Sequence, residues 1–246
     1  MPRQPRFVVP EIALHVRHRG NNRQACFLVE GDRLVYLANL RELCAKTRCS
    51  LHAYCLMTNH VHLLFTPPDA ASCASLMRDL GQRYVQYFNR RHGRTGTLWE
   101  GRYRSCLVDS ARYVLGCYRY IERNPVRARM VDAPSEYRWS SHLANCGRTT
   151  STMLVPHAEY AALAADEAAR HTAYGRLFEV DEEASFLAAI RDATDGGYAL
   201  LGEAMKAKLA ASGRRLERGR PGRPCGRSAD DESLVARDDF TLELGL

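Results

Sequence analysis

The stretch Leu56-Met57-Thr58-Asn59-His60-Val61-His62-Leu63-Leu64-Phe65 decides how this chain is read. Its apolar residues and bounding turn signals describe the end of one β-strand, a tight turn at Thr58-Asn59 and a second strand closed by Pro67-Pro68. A strand sends residues i and i+2 to one face. His60 and His62 can therefore address a single ion while Val61, Leu63 and Phe65 face the other way. Taken alone, the pair suits a metal site and a sheet with two half-buried, hydrogen-bonded histidines about equally.

Working outward, the spacing predicts strands over 50–57 and 60–66, and a first strand along Ile12-Ala13-Leu14-His15-Val16-Arg17. Leu34, Leu37, Leu40, Leu43 and Cys44 set a helix over 32–48, and Leu76, Leu80, Tyr84 and Phe88 another over 72–92, ending at His92-Gly93. Thr97 to Val108 reads as a short hairpin or extended segment. Asp109-Ser110 then caps a helix running through Tyr113, Val114, Cys117 and Ile121 to about Asn124, stopped by Pro125. This order predicts an α+β fold, a ferredoxin-like domain over 1–131 with an antiparallel sheet and helices on one face. A mainly helical, Ala-rich extension is expected over 132–212, and a basic then acidic, disordered tail over 213–246.

Composition narrows the function classes. The chain has 246 residues and a formal net charge of +7, with arginine far outnumbering lysine. Guanidinium forks match phosphate oxygens, so an Arg-rich surface suits phosphate recognition. Nine cysteines occur without a Cys-x-x-Cys pair, which argues against a zinc ribbon or redox motif and for reduced, buried thiols. The N-terminus lacks the apolar core of a signal peptide, and no apolar run reaches the roughly 18–20 residues needed to cross a bilayer. A soluble cytoplasmic protein is the expectation.

Downstream, Tyr120 and Asn124 stand four apart, about one helical turn, and so share a helix face. An amide oxygen can complete a cation site, and a phenol beside it could attack an electrophile held there. Tyr118 points far round the helix from Asn124, and Tyr113 could share the face of Tyr120 but sits about two turns from it, which leaves Tyr120 as the candidate nucleophile within one turn of Asn124. The competing reading keeps these aromatics in the core and lets Asn124 cap the helix before proline.

The segments Leu56-Met57-Thr58-Asn59-His60-Val61-His62-Leu63-Leu64 and Tyr120-Ile121-Glu122-Arg123-Asn124-Pro125-Val126-Arg127-Ala128 resemble those of the REP-associated tyrosine transposases, IS200-like members of the HUH superfamily. Val16-Arg17-His18-Arg19-Gly20-Asn21, Leu98-Trp99-Glu100-Gly101-Arg102-Tyr103 and Trp139-Ser140-Ser141 are also similar to recurrent family segments. The resemblance implies His60 and His62 as metal ligands, Asn124 as a third metal-binding residue and Tyr120 as the nucleophile. It implies Mg²⁺ or Mn²⁺, although two imidazoles would also suit Zn²⁺. The implied reaction is cleavage and rejoining of single-stranded or hairpin DNA of the REP type through a covalent 5′-phosphotyrosine. Thr58 replaces the proline that many members carry, a change in turn rigidity that removes no ligand. A non-catalytic palindrome-binding protein and a metal-dependent nuclease using water are the competing functions.

For DNA contacts the sequence offers Arg17, Arg19 and Arg23 around the first basic turn, Arg102 and Arg104 flanking Tyr103, and Arg78, Arg83, Arg90 and Arg91 along the preceding helix. Arg218-Gly219-Arg220-Pro221-Gly222-Arg223-Pro224 resembles an AT-hook core, suited to a narrow minor groove through Arg218, Arg220 and Arg223. DNA is the expected partner, with the protein a monomer or homodimer.

Overall fold

Strand β1 (Ala13–Arg19) occupies the middle of a five-stranded sheet, flanked by the histidine strand on one side and the returning strand on the other. In a computed structural model, which describes residues 6–210 together with 213 and 216, the chain runs β1, α1 (Glu30–Thr47), β2 (Ser50–Leu56), β3 (His60–Thr66), α2 (Ala70–Arg91) and β4 (Arg104–Val108). The sheet order is β2-β3-β1-β4-β5, the first four strands pairing antiparallel, which is the expected ferredoxin-like arrangement. The predicted strand pair lies within a residue of the observed one, because alternation and Pro67-Pro68 fix both ends. Helix α2 begins where Asp69 accepts from the Ser72 backbone N–H at 2.7 Å.

Period-2 alternation splits the strand residues between two cores. Leu14, Val16, Val61, Leu63 and Phe65 face α1 and α2, the expected helical layer. Each Leu or Phe fully buried there contributes about 1.5–3 kcal/mol. The opposite face is helical too, which the sequence reading did not anticipate. Ala13, Ala53, Cys55, Leu64 and Cys106 make it too apolar to stay in water. It is covered by α3 (Ala111–Glu122) and by part of the extension.

The short α4 (Asn124–Arg127) follows α3, and the extension comprises α5 (His142–Asn145), α6 (Ala158–Ala161), α7 (Glu167–Arg176), α8 (Ala184–Gly196), β5 (Ala199–Leu200) and α9 (Glu203–Ala210). It is mainly helical, as expected, but it shares a core with the sheet. Tyr137, Tyr160, Tyr174, Ile190 and Leu200 are buried in one cluster with Cys55, Leu64 and Ile121. Unpredicted β5 joins β4 in parallel as the fifth strand.

Two local expectations need correction. Ser110 occupies the N-cap of α3, yet its side chain makes no capping bond, and its φ of 79° is in the left-handed region. Pro125 does not end the helical course. Winding breaks at Arg123, and Pro125 sits in the first turn of α4, where its missing N–H costs nothing. Gly116 on α3 lets α8 pack closely: a Cβ there would lie 2.4 Å from the Phe186 ring, which would have to shift. The eight described cysteines are free thiols, seven of them buried. Burial pushes Cys26, Cys44, Cys106 and Cys146 up to about 12. The basic segment and acidic tail proposed for 213–246, including Arg218, Arg220 and Arg223, fall outside the described residues apart from 213 and 216.

Candidate active site

His60 and His62 project from β3 toward α3, their ring centroids 5.0 Å apart. Each has its Nδ1 engaged. Asn59 donates through Nδ2 to the Arg23 carbonyl at 3.1 Å, which turns its Oδ1 to His60 Nδ1 at 2.6 Å. His60 Nδ1–H therefore donates and its Nε2 keeps a lone pair. His62 Nδ1 lies 2.8 Å from Nε2 of His15, a β1 residue that the sequence reading passed over. Its position was legible by parity, since His15, Arg17 and Arg19 alternate onto one face of β1.

All three imidazoles resist protonation. Desolvation, then Arg17 and Arg19, lowers His60 to about 4, and desolvation, then Arg17 and Arg127, lowers His15 to about 3. His62 lies well below the ordinary value, chiefly through burial, with the other two histidines adding to it. Neutral imidazole is the form that ligates a metal.

Tyr120, near the end of α3, is 6% exposed and stands edge-on to both His15 and His62, at 5.6 and 5.7 Å between ring centroids. Arg127 of α4 stacks over the same ring, 4.4 Å from its centre, and donates to the Tyr120 carbonyl. Tyr118 turns away into the core, stacked on Tyr160, and Tyr113 stacks on Phe186 of α8. Asn124 opens α4 and does not continue α3, so the simple one-face geometry with Tyr120 is interrupted at Arg123. Its side-chain nitrogen is buried without a hydrogen-bond partner. Rotated by 180°, the same amide presents Oδ1 there. Among the described residues no group of three or more His, Cys, Asp or Glu gathers for a metal. His60 and His62 offer two imidazoles with open Nε2 atoms, a donor pair that fits a divalent ion keeping water ligands, and Asn124 adds a buried amide with no hydrogen-bond partner.

A basic cavity of about 360 Å³ adjoins the histidines, lined by Arg17, Arg19, Arg23, Glu100, Arg102, Arg104 and Asp195. Strand register explains its place: Arg17 lies opposite His62 on one side and Arg104 on the other, and Arg19 lies opposite His60. Opposed residues share a sheet face. Two carboxylates organise these guanidinium groups. Asp195 of α8 pairs with Arg17 at 2.5 Å, and Glu100 pairs with Arg19 at 2.6 Å. Arg104 donates to the Asp195 carbonyl at 3.2 Å. The arginines proposed along α2 lie across the sheet from this cavity, where Arg78 pairs with Asp79 and Arg83 with Glu42.

Other family-like segments brace the surrounding fold. Gly20 bridges to Trp99, whose ring stacks on His18 at 4.2 Å. A Cβ on Gly20 would meet the Gln24 carbonyl oxygen at 2.3 Å, so that turn needs glycine. Glu122, wholly buried at the end of α3, accepts from Ser141 Oγ at 2.5 Å, Tyr174 Oη at 2.7 Å and Asn145 Nδ2 at 2.8 Å, and pairs with His142 at 3.1 Å. Ser141 Oγ also receives the Tyr54 N–H of β2. The helix bearing Tyr120 is thereby locked to the sheet.

Residues 8–124 match the family model described as "Transposase IS200 like". Among solved structures, a REP-associated tyrosine transposase bound to a REP hairpin superposes with a TM-score of 0.52 at 16% identity, covering 64% of this chain and 92% of that one. A putative transposase from Deinococcus radiodurans R1 aligns at 20% identity over 52% of this chain and 92% of that one, with a TM-score of 0.35. No curated protein sequence matches the chain. The matched region spans β1 to β4, both histidines and α3, and ends at Asn124. The match to the IS200-like transposase family thus covers residues 8–124, and the REP-associated structure shares the fold.

Proposed function

We propose that this protein is a divalent-metal-dependent DNA strand transferase that cleaves and rejoins single-stranded or hairpin DNA of the REP type, with Tyr120 as nucleophile. The observation that carries the proposal is the seat of Tyr120, edge-on to His62 and beneath the Arg127 guanidinium. His60 and His62, through Nε2, and Asn124, through its amide oxygen, would hold Mg²⁺ or Mn²⁺. Once bound, the ion supplies Lewis-acid polarisation of the phosphodiester and offsets its charge.

The remaining work falls to the chain's own residues. Tyr120 Oη forms the new bond to phosphorus, the bond from phosphorus to the 3′-oxygen breaks, and the phenolic proton is lost as the 3′-hydroxyl gains one. Arg127 places positive charge against the phenol ring as it gives up that proton. The adjoining arginine cavity would track the strand's phosphates, and the locked α3 fixes the approach of the nucleophile. A phosphotyrosine conserves the energy of the broken bond and so permits rejoining.

The test uses labelled hairpin DNA with Mg²⁺ or Mn²⁺, followed by denaturing electrophoresis. Wild-type protein should yield a denaturation-resistant adduct, and Tyr120→Phe should lose the adduct while keeping DNA affinity. Cleavage that survives Tyr120→Phe would point to a water nucleophile. Binding without cleavage by wild type would point to a non-catalytic palindrome-binding protein.

A further inference from the structure

The hydrogen bonds behind His62 continue inward past His15. His15 Nδ1 lies 2.8 Å from Thr194 Oγ1, and Thr194 Oγ1 lies 2.8 Å from the Ile190 carbonyl one turn earlier on α8. Thr194 is 2% exposed and His15 wholly buried, so no solvent reorders the chain of contacts.

Donor counting fixes its direction. A carbonyl only accepts, so the single Thr194 hydroxyl proton goes to Ile190. Thr194 Oγ1 must then accept from His15 Nδ1–H. His15 is wholly buried and its hydrogen-bond partners are a hydroxyl and a second imidazole, neither of them anionic, so the ring carries one proton and its Nε2 is an acceptor. That nitrogen takes the proton of His62 Nδ1, and His62 Nε2 keeps its lone pair. Cys106 Sγ, 3.3 Å from Thr194 Oγ1, is left to donate as a second, weak partner.

We infer that Thr194 and His15 are positioning residues that hold His62 in the Nδ1-protonated tautomer with Nε2 presented for metal binding. The helix supplying Thr194 lies beyond the region shared with the family model, which ends at residue 124. Its next residue, Asp195, pairs with Arg17 of the basic cavity. The C-terminal extension is accordingly part of the active centre. This inference rests on the proposed metal site for its consequence, and on hydrogen-bond geometry alone for the tautomer.

Two measurements on the full chain separate these levels. In metal-free protein labelled with ¹⁵N-histidine, long-range ¹H–¹⁵N spectra should place the proton of both His15 and His62 on Nδ1, the less common tautomer. A proton on Nε2 of His62 would overturn the inference. Titration with Mn²⁺, followed by electron paramagnetic resonance, should show binding weakened about tenfold or more in Thr194→Val, while Thr194→Ser stays near wild type. Equal affinity in wild type and Thr194→Val would also overturn it. Should Thr194→Val unfold, the wild-type spectra and Thr194→Ser still decide: a serine variant with His62 protonated on Nε2 counts against the relay. Wild-type protein that binds no Mn²⁺ while both histidines carry Nδ1 protons overturns the metal reading and supports the tautomer order.

Discussion

The guanidinium of Arg127 lies 4.4 Å from the centre of the Tyr120 ring and is itself approached by Glu182 at 3.8 Å. A cation so placed costs little reorganisation when charge develops on the phenol, because its partners already hold it. Arg127→Ala should slow single-turnover adduct formation by about 10²-fold with DNA affinity little changed. Arg127→Lys should recover only part of the rate, since an ammonium cannot reproduce the planar stack. An unchanged rate in Arg127→Ala would remove the residue from the mechanism.

The basic cavity makes a salt-dependent prediction. If Arg17 and Arg104 meet phosphates of a single strand, each alanine substitution should reduce the slope of log affinity against log salt by about 0.7. Fluorescence anisotropy with a labelled oligonucleotide across a salt series reads that slope directly. A slope that stays at the wild-type value in both variants would place the DNA elsewhere.

Glu122 holds the end of α3 through four polar partners in a dry setting. Glu122→Ala strands Tyr174, Asn145, Ser141 and His142 together, and should destabilise the fold by about 3–5 kcal/mol. In a chain of this size that amounts to a fall in Tm of roughly 10 °C. Glu122→Gln keeps the shape and part of the bonding, so its loss should be smaller. Thermal unfolding of the two variants beside wild type checks the order.

Acid should unfold the protein from the inside. Burial lowers His52 to about 4, where it joins the Val155 carbonyl to Thr66, and lowers His18 to about 4 under Trp99. Their folded values lie below the unfolded one, so the unfolded state binds more protons between them. The stability these neutral rings confer is complete above pH 6.5 and falls as pH drops toward 4. Each ring contributes about 1.4 kcal/mol per pH unit in that window. Urea midpoints should decline steadily from pH 7 to pH 5, and a flat profile would contradict the burial.

Much of this was legible in the residues. His60-Val61-His62 announced a strand whose alternate side chains share a face, and Pro67-Pro68 closed it, so local rules fixed both element and orientation. The same parity would have found His15. Asn124 was harder, because the i, i+4 rule presumes one continuous helix and winding breaks at Arg123. Thr194 and Asp195 carried no local signal at all. Their meaning lies in contacts with residues that precede them by far in sequence, and only packing α8 against β1 and β4 brings them there. Arg127 was visible within a motif, but its place over Tyr120 depends on the same break that displaced Asn124.

The buried thiols give the molecule a chemical clock. With Cys106 raised to about 12, its thiolate fraction at pH 7 is only ~10⁻⁵, so alkylating reagents should pass over it in the closed state. Cys106 sits 3.3 Å from the Thr194 hydroxyl, at the seam where α8 meets the sheet. The rate at which it becomes modified therefore measures how often that seam parts, and comparing it with the rate at Cys44, in the α1 layer, tells a local breath from global melting.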